Sequence, residues 1–191
     1  MSIATKYTVA EYLEFERNSP LRHEFFEGEI FEMVGGTLNH VRIIVKLCAA
    51  LLAQLHEPEF FVLTNDMRIK VDENGLHTYP DVVVVKGEPE LEDDCQDTLL
   101  NPIVLMEVLS KSTERYDRTK KFLLYQAIPC LMEYVLVAQY RPEVDQYVRS
   151  TAGSWQHFNY QNLSETLVLQ SVPCSIPLSA IYQNIKFVPN A

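Results

Sequence analysis

At 191 residues, with 47% hydrophobic and 22% charged side chains, the chain is long enough to bury a core and too apolar to be disordered. No apolar run reaches the length of a bilayer-spanning helix, and the opening "MSIATKYTVAEYLEFERNSP" lacks the apolar region of a secretory signal. A net charge of -10 counts against tight, sequence-independent binding of nucleic acid, which draws its affinity from a basic footprint.

Thr8 and Glu11 have the spacing of a capping box, so a helix is expected from Val9 to Asn18, stopped near Pro20. The run "HEFFEGEIFEMV" alternates on both sides of Gly28 and reads as a hairpin. Asn39 is placed to cap a second helix through "HVRIIVKLCAALLAQLH", ending near Pro58. Val41, Ile44, Val45, Cys48, Leu51, Leu52 and Leu55 recur at helical spacing and define its expected buried face. Strands "FFVLTND" and "MRIKVD" follow, then a turn at Asn74-Gly75 and the strand "TYPDVVVV". After the acidic segment 88–97, with six acids and no base, come the strand "PIVLMEVL", a helix through "TERYDRTKKFLLYQAI" and the strand "MEYVLVAQ". A hairpin around Gly153, a weak strand near Leu167 and a short helix from Leu178 to Tyr182 close the chain. The expected fold is therefore α/β, a mixed sheet flanked by helices in a single domain spanning 1–191, with a βαβ crossover beside an antiparallel pair.

Cys48, Cys95, Cys130 and Cys174 are scattered and form no C-x-x-C pair, which argues against a structural zinc site or a disulfide framework and makes a reducing cytoplasm the default. Between Lys111 and Lys121 five cations stand against two anions, a local +3, either a solvated face or part of a binding surface.

Two positions break the apolar pattern. Glu107 sits inside "NPIVLMEVLS", and Asp81 directly precedes four valines in "YPDVVVV". Burying an ionised carboxylate costs several kcal/mol unless it gains a partner, so each is either a strand-end acid reaching solvent or an arginine, or part of a site. Compensation can come from an internal salt bridge, a raised pKa or a bound cation. On neighbouring strands the two acids would repel each other, and a divalent ion would remove that conflict, with Mg²⁺, or Mn²⁺ in its place, suited to carboxylate and water ligands.

The ordered set of Pro80-Asp81, "EVLS", Asp117-x-x-x-Lys121-x-x-x-Tyr125 and "IP" followed by "EYVLV" resembles the Uma-type endonucleases, a branch of the PD-(D/E)XK nuclease superfamily. "HEFFEGEIFEM" and the histidine opening the second helix match the same pattern, and the likeness runs from about Thr8 to Tyr182. The resemblance implies a restriction-endonuclease-like core with extra β-hairpins, a Mg²⁺ site, and hydrolysis of nucleic-acid phosphodiesters, with DNA as the expected substrate. Cleaving two strands needs two sites and edge strands in the C-terminal hairpin could pair, so a homodimer is the expected assembly. It assigns Asp81 and Glu107 to the metal and Lys121 to catalysis. The superfamily's lysine normally follows the acid by two residues on the strand. Leu109 holds that place here, and the Uma branch is similar in taking its lysine from the next helix. Asp117, Lys121 and Tyr125 share a helical face, whereas Lys120 points about 100° away. Periodicity leaves both lysines open; the family pattern favours Lys121. His40 is a further metal or phosphate ligand candidate, and one of Glu24, Glu27 and Glu29 a possible completing acid. The competing readings are a catalytically silent scaffold of the same fold and a metal-dependent hydrolase of a small phosphate ester.

Overall fold

The computed structural model describes residues 6–33, 35–73 and 75–187. Helix α1 (Val9–Asn18) opens with the expected capping box, both reciprocal bonds between Thr8 and Glu11 being present. Strands β1 (His23–Phe26) and β2 (Glu29–Glu32) form the expected hairpin, and its turn needs two consecutive left-handed residues, Glu27 at φ 51° and Gly28 at φ 84°. Val34, which ends that run, and Asn74, half of the expected Asn-Gly turn, lie outside the described residues.

Helix α2 (Leu38–Leu52) departs from expectation in three ways. Thr37, not Asn39, is the N-cap, its hydroxyl accepting from the His40 N–H; Asn39 instead donates its amide to the Lys186 carbonyl at 2.9 Å. The helix stops at Leu52, well short of Pro58. Its buried face is Ile43, Ile44, Leu47 and Leu51, while Val41, Val45 and Leu52 are exposed. The apolar residues run most of the way around this helix, so periodicity locates the stripe but not its centre.

A six-stranded mixed sheet forms the frame. It comprises β3 (Phe60–Thr64), β6 (Val82–Lys86), β8 (Pro102–Leu109), β9 (Glu133–Ala138), β10 (Val144–Arg149) and β11 (Trp155–Tyr160), in the order β11-β10-β9-β8-β6-β3. Among the described residues of this sheet only β8 and β9 run parallel, as the crossover requires, and β6 lies antiparallel to β8. A second sheet, in the order β2-β1-β5-β4-β7, joins the hairpin to β4 (Arg68–Val71), β5 (Leu76–Thr78) and a two-residue β7 (Thr98–Leu99) directly after the acidic segment. The run "TYPDVVVV" is thus two strands in two sheets. Pro80 has no N–H for a ladder, and the chain crosses between sheets at Tyr79–Asp81. Strands β12 (Thr166–Val168) and β13 (Ser175–Pro177) form a small ribbon before α5 (Leu178–Ile181).

Alternation along the central strands separates two cores. Val82, Val84, Val104 and Met106 pack with α2 and α5; Val83, Val85, Leu105 and Leu109 pack on the other face with Tyr125, Tyr134 and the second sheet. Both faces of the sheet are covered, which explains why β6 and β9 read as unbroken apolar runs. The β8–β9 crossover is not one α-helix. It consists of α3 (Glu114–Tyr116), a π-helical turn (Asp117–Lys121) and α4 (Phe122–Tyr125). Among the described residues the four cysteines are free, and no helix is long and apolar enough to cross a membrane.

Candidate active site

Asp81 and Glu107 face each other through strand register. Val82 pairs with Met106, so one step further along this antiparallel pair brings Asp81 opposite Glu107. By alternation Asp81 falls with Val83 and Val85, and Glu107 with Leu105 and Leu109, on the face that the crossover covers. Asp81 stands one residue before β6, and there the Val108 N–H donates to its Oδ2 at 2.7 Å. That bond ties the aspartate to the residue following Glu107.

The crossover supplies the cation. Lys121 Nζ lies 2.8 Å from Glu107 Oε1 and 3.7 Å from Asp117 Oδ1, and the Tyr125 hydroxyl donates to the same glutamate oxygen at 2.9 Å. Asp117, Lys121 and Tyr125 therefore share one face, as their spacing predicted, and that face is the inward one. Lys120 does not. Its ammonium sits 4.4 Å from the Phe26 ring centre on the exposed side. Lys121, Glu107 and Asp117 are each no more than 5% exposed. A π-helical turn widens the helix and is frequently found at functional sites; here it carries both Asp117 and Lys121 to the sheet.

His40 reaches the cluster from the first turn of α2, with Nε2 3.2 Å from Asp81 Oδ2. Its pKa is raised: burial pushes it down, but Asp81, Glu107 and the Val108 backbone together outweigh burial. Its Nδ1 is buried without a hydrogen-bond partner among the described residues, and a Cβ on Gly36 would lie 2.5 Å from that atom. Gly36→Ala is therefore expected to push the ring off Asp81, at a steric cost of about 1–3 kcal/mol, and to lower the His40 pKa toward that of a free imidazole. An NMR titration of the ring checks this; an unchanged curve would mean that the loop, not the ring, gives way.

Of the hairpin acids, Glu27 and Glu29 are exposed and Glu24 joins the site. It accepts from the Tyr116 hydroxyl and, at 2.8 Å, from Thr78 Oγ1, and its charge contributes to holding the Lys121 pKa up. Glu24 and Gly36 were the residues hardest to single out from sequence. The only signal for Gly36 was a Gly-Gly-Thr run ahead of a helix, and Glu24 looked like any strand acid.

Four acids (Glu24, Asp81, Glu107, Asp117) thus surround one buried lysine and one histidine. Burial is the largest influence on Glu107 and raises its pKa to about 8; Lys121 pulls it back, while Asp117 and Asp81 push it further up. Asp117 is also raised, by burial first. Lys121 is held well above its ordinary value because Glu107 and Asp117 outweigh its own burial. This surplus of negative oxygen donors fits a hard divalent cation. Among the described residues no three His, Cys, Asp or Glu side chains form a ready cage, so water or substrate oxygens would complete the shell, as they commonly do around Mg²⁺.

Comparison with known proteins now decides the family. Residues 9–180 match the Uma2 family model, described as "Putative restriction endonuclease". The chain belongs to the Uma2 family. Two uncharacterized proteins of Synechocystis sp. are similar over most of their lengths. One is 35% identical over 182 residues, covering 95% of this chain and 94% of the relative; the other is 34% identical over 148 residues, covering 78% and 84%. The crystal structure of "a putative nuclease belonging to DUF820" from Anabaena variabilis superposes with a TM-score of 0.75 at 14% identity, covering 92% of this chain and 97% of that one. At that identity the likeness shows the fold alone: a mixed α/β architecture, which the Uma2 chain shares.

Proposed function

We propose that this Uma2 protein is a divalent-metal-dependent endonuclease that hydrolyses phosphodiester bonds in DNA. The observation that carries the reading is the meeting of Lys121, delivered by the π-helical turn, with Glu107 at 2.8 Å on the sheet face that Asp81 shares. Desolvating Glu107 and Asp117 around one ammonium, with Glu24 and Asp81 beside them, costs stability, and a scaffold gains nothing from it.

Asp81 and Glu107 would hold Mg²⁺, or Mn²⁺ in its place, with His40 at the rim as a third donor or as the partner that fixes Asp81. When bound, such an ion polarises a phosphate oxygen and lowers the pKa of water. The protein's own groups do the rest. The Val108 N–H orients Asp81, and Tyr125 and Lys121 orient Glu107. Lys121, whose raised pKa keeps it charged, stabilises negative charge growing on the phosphate oxygens and is unsuited to act as a base. One such site per chain cuts one strand, so duplex cleavage calls for a homodimer; β11, at the sheet edge, is a candidate contact strand, and sedimentation should then report twice 22.0 kDa.

The test compares wild type with Glu107→Ala on supercoiled plasmid and single-stranded DNA, with Mg²⁺, Mn²⁺ or EDTA. Cleavage that requires metal and disappears in the variant is expected. Equal activity in both proteins would mark a contaminant and refute the reading. The lack of a ready three-ligand cage among the described residues favours, as second reading, a catalytically silent scaffold. That reading expects no calorimetric heat of Mn²⁺ binding that depends on Asp81.

A further inference from the structure

We propose that Lys111, Arg115 and Lys120 form a track that binds the phosphodiester backbone of the substrate strand and delivers it to the site; this rests on the nuclease reading above. The stretch Lys111–Lys121 carries five cations and two acids, but the structure sorts them unevenly. Glu114 is taken by Arg118 at 2.9 Å, Arg141 at 3.3 Å and the Tyr140 hydroxyl. Asp117 is buried beside Lys121. Arg118 is consumed by Glu114, Glu143 and Asp145, the last at 2.6 Å, and Lys121 by Glu107. What remains exposed is purely cationic. Lys111, Arg115 and Lys120 all face solvent and, among the described residues, make no ion pair.

Their placement matters as much as their charge. Lys111 stands two residues beyond the end of β8, the strand that carries Glu107, on a turn fixed by Ser110, whose hydroxyl bonds Ser112 and Thr113. Arg115 lies in α3, and Lys120 sits at the far rim against Phe26 of β1, one residue before the buried Lys121. The row therefore runs along the outside of the segment whose inside lines the site. A polyanion approaching a cluster of four acids on a chain of net charge -10 needs local cations at that rim, and these three are exposed there. Such contacts read phosphates and not bases, so their removal should weaken binding alike for all sequences.

The experiment measures binding of a fluorescein-labelled 30-nucleotide strand, and of the corresponding duplex, by anisotropy in EDTA across a range of KCl concentrations. It uses wild type, the triple variant Lys111→Gln/Arg115→Gln/Lys120→Gln, and Lys86→Gln, an exposed lysine at the opposite end of β6 from Asp81. Each lost phosphate contact lowers the slope of log K against log salt by about 0.7 on single strands and about 0.9 on duplex. The triple variant should therefore lose about 2–3 units of slope and on the order of 10²-fold in affinity at ~0.1 M salt. Lys86→Gln should match wild type in both affinity and slope. If wild type cleaves DNA and the triple variant keeps the full slope, the track is refuted and the nuclease reading stands. If wild type neither cleaves DNA nor binds it with a salt-dependent slope, both fall.

Discussion

Lys121→Met is expected to lower kcat by at least about 10²-fold and the melting temperature by roughly 5–10 °C, whereas Lys120→Met leaves both nearly unchanged. The activity loss follows from removing the one ammonium buried among Glu107, Asp117 and Tyr125; deleting a single preorganised donor at a developing oxyanion typically costs 10²–10³-fold. The stability loss has a separate origin. Without Lys121, Glu107 and Asp117 would be two buried carboxylates with no cation at hand, a situation that can cost ~3–5 kcal/mol. Glu107 limits that cost by taking up a proton, since burial already raises its pKa to about 8. A net loss of about 2–3 kcal/mol is left, and at 2–4 °C per kcal/mol for a chain of this size it gives the predicted shift. Lys120 lies over the Phe26 ring and makes no ion pair among the described residues, so its replacement should change KM through the backbone track and not kcat. Thermal melts and steady-state kinetics on both variants read the two effects independently. Equal kcat in Lys121→Met and wild type would remove the lysine from the chemistry.

Much of this was legible in the sequence, and where it was not, the reasons are physical. The α1 capping box, the Gly28 hairpin, the β8–crossover–β9 unit and the Gly153 hairpin follow from local signals: side-chain caps, residues tolerant of positive φ, and runs apolar on both faces. Asp81 and Glu107 stood out because a charge in an apolar strand is an anomaly that patterning detects; Lys121 was favoured over Lys120 only through the family resemblance, since periodicity left both open. The centre of the α2 stripe was not legible, because Val41, Val45 and Leu52 are as apolar as the residues that pack. Nor was the split of "TYPDVVVV" between two sheets, which depends on where Tyr79 and Pro80 send the chain. The π-helical turn left no trace either: one extra residue in a helical turn alters hydrogen bonding without altering the hydrophobic pattern.

The site residues that sequence could not rank share a feature. Glu24 and Gly36 act through partners distant along the chain, Glu24 through Tyr116 and Thr78, and Gly36 through the room it leaves beside the His40 ring. Within the hairpin, Glu24, Glu27 and Glu29 are chemically equivalent, and only the pairing of β1 with β5 places the first of them under the crossover. The geometry of the candidate site was therefore readable where a charge conflicted with local burial, and unreadable where it depended on which sheet edge meets which helix.

Glu107→Gln should separate function from stability. The variant keeps the volume and hydrogen-bonding capacity of the side chain but cannot hold a divalent ion as a carboxylate does, so cleavage is expected to fall by about 10³-fold or more and the Asp81-dependent Mn²⁺ heat to disappear. Stability should move the other way as pH rises. In the folded state the Glu107 pKa of about 8 lies above its unfolded value near 4.5, so the folded protein binds this proton more tightly. Its contribution is therefore complete below about pH 4.5 and is lost as pH climbs through about 8, with a slope of up to ~1.4 kcal/mol per pH unit. Lys121 does not offset this within that window: its folded pKa is raised as well, so its own contribution is lost only at pH values above those at which a free lysine titrates. Glutamine has no proton to lose. In EDTA, the melting temperature of Glu107→Gln minus that of wild type should consequently grow in the variant's favour between pH 5 and 8, by about 2–4 °C for each kcal/mol. Saturating Mn²⁺ should raise the wild-type melting temperature most at high pH, where the ion no longer competes with the proton, and should leave the variant unmoved. Parallel melting curves for the two proteins across that range would mean that Glu107 is fully ionised in its pair with Lys121, and that the surrounding acids impose no charge deficit for a metal to relieve.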